Sequence, residues 1–290
     1  MTQIVIITGQ TATGKTSLAY DFAKKFNGEI INADSRQVYR YLDIISSKDM
    51  HPAFPTYLYD IVDPKKPFSS FEWVQRALQS IKRLNSEEKT PIIVGGSYLY
   101  LKHLLYGVDT EGIGPDWPLR KELENKTLEE LQQMLKNLSV QKFKLLNQSD
   151  RNNPRRLMRK IEIESSRRHS GDPVMAGDSR IDPGQARMTD VKFIGLRFKN
   201  KENLTKAIQK RVEDRIKTGA FEEVEKLLQM GYNENDPGLK TIGYQQLIKY
   251  FQKKLTKEEA IGVWITKEIQ YAKRQYTFMK KDHKIIWREI

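Results

Sequence analysis

Residues 4–8 read Ile-Val-Ile-Ile-Thr and run straight into Gly9-Gln10-Thr11-Ala12-Thr13-Gly14-Lys15-Thr16. Leu18, Ala19, Phe22, Ala23 and Phe26 then recur at helical spacing. The order is strand, glycine loop, helix, and the octet fits the phosphate-loop pattern G-x-x-x-x-G-K-[ST] in the context that pattern requires. Successive backbone N–H groups of such a loop surround an anion, and the start of the helix adds positive potential. Gly9, Thr11, Ala12, Thr13 and Gly14 are therefore expected to form a diphosphate cradle. Lys15 supplies a point charge, and the Thr16 hydroxyl is a candidate ligand for Mg²⁺. The motif implies a di- or triphosphate ligand. Hydrolysis, phosphoryl transfer and displacement of a diphosphate leaving group all remain open to it.

Two further apolar runs extend the pattern outward. Residues 29–34 (EIINAD) end in Asp34, and Pro91-Ile92-Ile93-Val94 ends at Gly95-Gly96. Continuous apolar runs alternating with helical patterns predict an α/β fold, a phosphate-loop parallel sheet with helices on both faces. The run at 91–94 ends in glycines, where an ordinary nucleotide hydrolase places an acid that orients Mg²⁺. Beyond residue 111 the chain becomes highly charged and helical, without a convincing strand. Residues 111–188 are read as an all-helical insertion between core segments 1–110 and 189–290. In the second core segment the spacing predicts a strand alternating at Val191, Phe193, Leu196 and Phe198, with a phase slip at Ile194. One long helix is expected over 203–230, stopped by Gly231, another over 257–281, and a last strand near 284–287.

The 290 residues carry 50 Lys and Arg against 37 Asp and Glu, a formal charge of 50 − 37 = +13. A polyanionic partner suits that excess. Mean hydropathy is −0.65, and no apolar run reaches the roughly 18 residues of a spanning helix, so no membrane role is expected. The absence of cysteine excludes disulfides, thiolate metal sites and a cysteine nucleophile. No leader pattern opens the chain, and a soluble cytoplasmic protein, monomeric, is the expectation.

Asp34 stands at a strand end, where open α/β sheets bind ligands. It is either a general base near Lys15 or a helix N-cap. Ser97, after the paired glycines, is either a hydrogen-bond donor to substrate or a cap. Residues 151–168 are rich in Arg and Lys. Arg155 and Arg159, and Arg156 and Lys160, are i,i+4 pairs whose repulsion a phosphate backbone would relieve, although a solvated face is the plain alternative. Lys267, Lys273, Arg274, Lys280 and Lys281 interleave with Tyr271, Tyr276 and Phe278 in a pattern that suits RNA or a core. Arg211 and Arg215 either clamp a transferring phosphate or pair with Glu213, Asp214 or Glu222.

Several segments together resemble the tRNA dimethylallyltransferase (isopentenyltransferase) family: GQTATGKT at 9–16, DSRQVY at 34–39, YDIVDP at 59–64, VGGSYLY at 94–100, PRRLMRKIE at 154–162, KRVEDR at 210–215, KTIGYQQ at 240–246 and AKRQYTF at 272–278. They occur in the family's order along nearly the whole chain. The resemblance implies transfer of a dimethylallyl group from dimethylallyl diphosphate to the exocyclic amine of the adenosine immediately 3′ of the anticodon. It implies Asp34 as general base, Thr16 as the Mg²⁺ ligand, and Lys15 and Arg215 as neutralisers of the departing diphosphate. Ser35, Arg36, Gln37 and Ser97 would contact the target nucleotide and its neighbours. Arg120, Arg155, Arg156, Leu157, Met158, Arg159, Lys240, Thr241, Ile242, Gly243, Tyr244, Gln245, Lys273 and Arg274 would hold the anticodon stem-loop. The chain departs from the family pattern at Thr56, where His is usual after the proline, at Ser97 for Thr, and at residues 148–154.

The main rival is a P-loop small-molecule kinase, with Asp34 receiving a hydroxyl proton; it must consume ATP, which the transferase does not. A transferase for free adenine nucleotides would not need the basic insertion, and a non-catalytic RNA binder would not need Asp34 and Thr16.

Overall fold

The computed structural model describes residues 3–107, 113–169 and 191–290. The chain divides into two units, Met1–Leu105 with Met188–Ile290, and Tyr106–Arg187. The boundaries expected at 110 and 188 lie outside the described residues, as does the stretch GDPVMAGDSRIDPG at 171–184, whose glycines, prolines and aspartates predict a loop.

The first unit is built on a six-stranded sheet. In chain order its strands are β1 (Ile4–Gly9), β2 (Gly28–Asn32), β3 (Thr56–Tyr57), β4 (Thr90–Val94), β5 (Val191–Arg197) and β6 (Ile286–Glu289). The spatial order is β3-β2-β4-β1-β5-β6, and every neighbouring pair is parallel. β1 is the centre: Val5 faces Ile92 of β4 on one side and Lys192 of β5 on the other. All six of its residues are buried, as a parallel strand covered on both faces must be. The same physics corrects the strand expected at 191–198. Its inner residues Phe193, Ile194, Gly195 and Leu196 are buried without alternation, because helices cover both faces.

The helices of this unit are α1 (Lys15–Lys25), α2 (Ser70–Ser86), α3 (Tyr98–Tyr106), α9 (Lys201–Lys217), α10 (Ala220–Gln229), α11 (Tyr244–Phe251) and α12 (Lys257–Met279). α1 begins at Gly14, whose φ of +74° suits glycine, and lays Ala19 and Ala23 on the sheet beside Val5, Ile30 and Ile92. The single helix expected over 203–230 is two. Gly219, at φ +108°, breaks it between α9 and α10. Among the described residues no helix is long and apolar enough to cross a membrane.

The second unit holds α4 (Trp117–Leu123), α5 (Leu128–Leu138), α6 (Val140–Leu145), α7 (Gln148–Arg151) and α8 (Pro154–His169). Its core is Leu123, Leu131, Leu135, Leu157, Met158 and Ile161. Asp116, Thr127, Ser139 and Asn147 each cap a helix with a side-chain oxygen.

Candidate active site

A cleft of about 630 Å³ opens at the carboxyl ends of the strands of the first unit. The phosphate loop forms one wall: Thr11, Ala12, Thr13, Gly14, Lys15 and Thr16 all line it. The loop is fixed from behind. The Thr11 N–H donates to Gln275 Oε1 at 2.9 Å, and the Gln275 Nε2 amide donates to the Gly96 carbonyl at 3.1 Å. The Thr13 hydroxyl and Lys15 Nζ both donate to the Gln10 carbonyl, at 2.7 and 2.6 Å. Gly9 sits so close to β5 that a Cβ there would lie 2.0 Å from the Leu196 carbonyl oxygen.

Asp34 lines the same cleft. It caps no helix, since residues 35–38 form a turn. One carboxylate oxygen accepts the Arg36 N–H at 2.8 Å, an Asx turn that aims the group while leaving its second oxygen for chemistry. Ser97 fixes this turn from beneath: its hydroxyl oxygen accepts the Ser35 N–H at 2.8 Å, and its own N–H donates to Ala33 O at 3.1 Å. The paired glycines of β4 follow from the same crowding. A Cβ on Gly95 would lie 2.2 Å from the Ala33 carbonyl carbon, which leaves no room there for an acidic side chain.

The charges in the cleft interact strongly. Burial and the neighbouring Arg211 guanidinium push Lys15 down to about 7, partly offset by Asp34. Burial and Arg215 lower Arg211 to about 10, against the pull of Glu268 and Asp34. Tyr59 and Tyr271 also line the cleft. Burial and the charge of Asp34 hold both phenols well above their ordinary value, so they are neutral O–H donors at physiological pH.

The two arginines of α9 part company. Arg211 lines the cleft and donates to the Thr11 hydroxyl at 2.5 Å. Arg215, expected to neutralise the diphosphate, does not line the cleft. Its Nη1 pairs with Glu268 at 2.8 Å and its Nε donates to the Ser47 hydroxyl at 2.8 Å. The intrahelical pair of this segment is instead Lys210 with Asp214.

The residues expected to contact RNA divide in the same way. Gln37 lines the cleft, whereas Arg36 reaches the Pro237 carbonyl at 3.4 Å. Within the 240–245 segment Lys240 is exposed, and Ile242 and Gln245 are half-buried. Thr241, Gly243 and Tyr244 are buried, so these three are corrected from contacts to framework. Leu157 and Met158 are likewise corrected to the core of the helical unit. Arg155 and Arg156 are exposed, Arg156 paired with Asp150. Arg120 and Arg159 converge on Glu162, whose side chain is fully buried, at 2.7 and 2.5 Å. Lys273 and Arg274 are exposed on α12, while Tyr276 packs edge-on to Trp287.

Sequence reasoning passed over Ser47, Lys48, Asp49 and Met50, which complete the cleft. They lie in an irregular segment with no periodicity to read. Lys48 is braced by Asp43, Asp60 and the Tyr39 carbonyl.

Mg²⁺ has no prebuilt cage here: among the described residues no group of three or more His, Asp or Glu side chains is arranged to hold a metal. The Thr16 hydroxyl on the phosphate loop, with Asp34 in the same cleft, fits a hard ion that takes most of its ligands from substrate phosphate and water.

Comparison with known proteins bears on this geometry. A family model described as IPP transferase matches residues 37–282. A tRNA dimethylallyltransferase of Thermoanaerobacter sp. (strain X514) is 37% identical, covering 98% of this chain and 91% of the relative. One of Clostridioides difficile (strain 630) is 34% identical over 99% of this chain and 91% of the relative. Among solved structures, the tRNA isopentenylpyrophosphate transferase of Bacillus halodurans superposes with a TM-score of 0.70 at 28% identity, covering all of this chain and 90% of that one. A eukaryotic dimethylallyltransferase, captured acting on tRNA, gives 0.76 at 25% identity over all of this chain and 74% of that one. None of these is a kinase, and the chain belongs to the IPP transferase family, as a prenyl-transferring enzyme of the tRNA dimethylallyltransferase type.

Proposed function

We propose that this enzyme transfers the dimethylallyl group of dimethylallyl diphosphate to the exocyclic amine, N6, of the adenosine immediately 3′ of the anticodon in tRNA, releasing diphosphate in the cytoplasm. The observation that carries this reading is that Asp34 lines one cleft together with Lys15, Thr16 and Arg211. An adenine amine is a poor nucleophile, because its lone pair is delocalised into the ring. Asp34 accepts the N6 proton as the new C–N bond forms. The allylic carbon tolerates positive charge, so the C–O bond breaks readily once its leaving group is stabilised. Lys15, Arg211 and the N–H groups of residues 12–16 provide that stabilisation, each preorganised donor contributing about 3 kcal/mol. Tyr59 and Tyr271 remain protonated, which adds two neutral donors and no competing negative charge. Thr16 would hold Mg²⁺ together with the diphosphate oxygens, and the ion would supply further neutralisation of the leaving group. The target base lies in an RNA loop and is flipped into the cleft at a cost of a few kcal/mol.

The deciding experiment incubates unmodified tRNA with labelled dimethylallyl diphosphate and Mg²⁺, without ATP, followed by nucleoside analysis. Label on N6 of the adenosine next to the anticodon is expected, and Asp34→Ala should abolish it while tRNA binding stays near wild type. Transfer that requires ATP, or an Asp34→Ala enzyme with unchanged turnover, would overturn the proposal.

A further inference from the structure

Thr241, Gly243, Tyr244 and Gln246 of the 240–246 segment are buried, and Tyr244 and Gly243 pack toward the turn at residues 42–47. Glu223 of α10 sends its carboxylate into that turn. Oε2 accepts the N–H groups of Asp43 and Ile44 at 2.8 and 2.7 Å, and Oε1 accepts that of Ile45 at 3.1 Å. Three consecutive N–H groups converging on one anion form a nest. The Tyr244 hydroxyl donates to the same Oε1 at 2.5 Å. Gly243, just before it, is pressed against the turn: a Cβ there would lie 2.4 Å from Ile45 Cγ2. Burial, then the charge of Glu223, raises the Tyr244 phenol well above its ordinary value, so it is a permanent donor.

The far side of this turn faces the reaction. The carbonyls of Ser46 and Ser47 accept both hydrogens of the Gln37 amide, at 3.0 and 2.8 Å. Gln37 and Ser47 line the cleft with Asp34. With its nitrogen committed to the turn, the Gln37 carboxamide keeps its oxygen as the acceptor it offers to a base.

We propose that Glu223, supported by Tyr244, is a positioning residue for the acceptor half of the reaction: it holds the 42–47 turn so that Gln37 is fixed beside Asp34 with its carboxamide oxygen toward the incoming adenine. The inference rests on the prenyl-transfer reading, and it gives the 240–246 segment a role in orienting the base. Replacement of the carboxylate turns a proton-free acceptor toward three N–H groups into one that carries hydrogens of its own.

The test compares wild type, Glu223→Gln, Gln37→Ala and the double variant. Glu223→Gln is expected to raise KM for an anticodon hairpin and lower kcat, each about tenfold. Its Kd for inorganic pyrophosphate, read by calorimetry, should stay within about twofold of wild type, because the phosphate loop is held separately by Gln275. Amide exchange across residues 43–47 should accelerate. In the Gln37→Ala background the kinetic penalty of Glu223→Gln should largely vanish. Full additivity, or equal losses of hairpin and pyrophosphate affinity, would overturn the inference, the latter marking a purely structural role. If Glu223→Gln does not fold, Tyr244→Phe carries the same cycle with an expected rise in hairpin KM of about threefold; an unchanged KM would overturn it. A wild-type protein that transfers no prenyl group would refute the proposed reaction instead, and unchanged exchange at 43–47 in Glu223→Gln would independently refute the positioning.

Discussion

Lys15 shows how much of the site is set by single side chains. A lysine in water titrates near 10.4. Here burial and Arg211 bring it to about 7, with Asp34 pulling the other way. A polyanion beside it reverses the balance and favours the charged form. The sign follows: at pH 8 the free enzyme holds Lys15 mostly neutral, the complex holds it protonated, and binding takes up a proton. Diphosphate affinity should therefore fall as pH rises above about 7, by up to tenfold per pH unit. Calorimetry at pH 8 in buffers of different ionisation enthalpy checks this. Subtracting the result for Lys15→Arg, whose guanidinium stays charged, removes the protons of the diphosphate itself. Zero difference would show that Lys15 is already charged in the free enzyme. The residue pattern at 9–16 made this lysine legible from sequence; its depressed pKa was not, because Arg211 is 196 positions away, 211 − 15, and only the fold brings them together.

At the scale of elements, legibility followed periodicity. β1, β2 and β4 were readable because a parallel strand buried on both faces is a plain apolar run. β3, only Thr56–Tyr57, has too few residues to show a pattern. The break at Gly219 was hidden because α9 and α10 each continue an apolar stripe, Val212 in one and Val224 in the other. Spacing left Arg211 and Arg215 equivalent, one turn apart. The structure separates them, since α12 places Glu268 against the second and leaves the first to the phosphate loop. Their substitutions should therefore differ in kind. Arg211→Ala should lower kcat by about 10²–10³ through loss of one preorganised cation, with little change in melting temperature. Arg215→Ala strands Glu268, which is 9% exposed at its side chain, and should cost about 3–5 kcal/mol of stability. Steady-state kinetics and thermal denaturation of the two variants separate the effects; equal losses of kcat without destabilisation would return Arg215 to the diphosphate.

For the molecule as a whole, the excess of +13 charges tells of a polyanion without telling which cations meet it. In the helical unit the structure sorts them. Arg120 and Arg159 are committed to Glu162, and Arg155 and Arg156 stand at the surface of α8. Burial alone would raise Glu162, but Arg120, Arg159 and the Asp116 N–H outweigh it and hold the carboxyl below its ordinary 4.5. A depressed folded pKa means stability that is present above the unfolded value and lost as pH falls through the folded one. Below about pH 4.5 the helical unit should therefore lose stability progressively, and Glu162→Gln should flatten that acid dependence, read by circular dichroism. A binding role for the exposed pair makes a different prediction. Each phosphate contact releases condensed counterions, so log Kd for tRNA changes with log salt by about 0.7–0.9 per contact. Arg155→Ala with Arg156→Ala should reduce that slope by nearly two units if both meet phosphates, with the melting temperature held. Arg159→Ala, which leaves Glu162 with one partner fewer, should instead lower the melting temperature and leave the slope closer to wild type. An unchanged slope in the Arg155/Arg156 variant would make that face of α8 a solvated surface and turn the same test to other exposed cations, Lys240 and, on α12, Lys273 and Arg274.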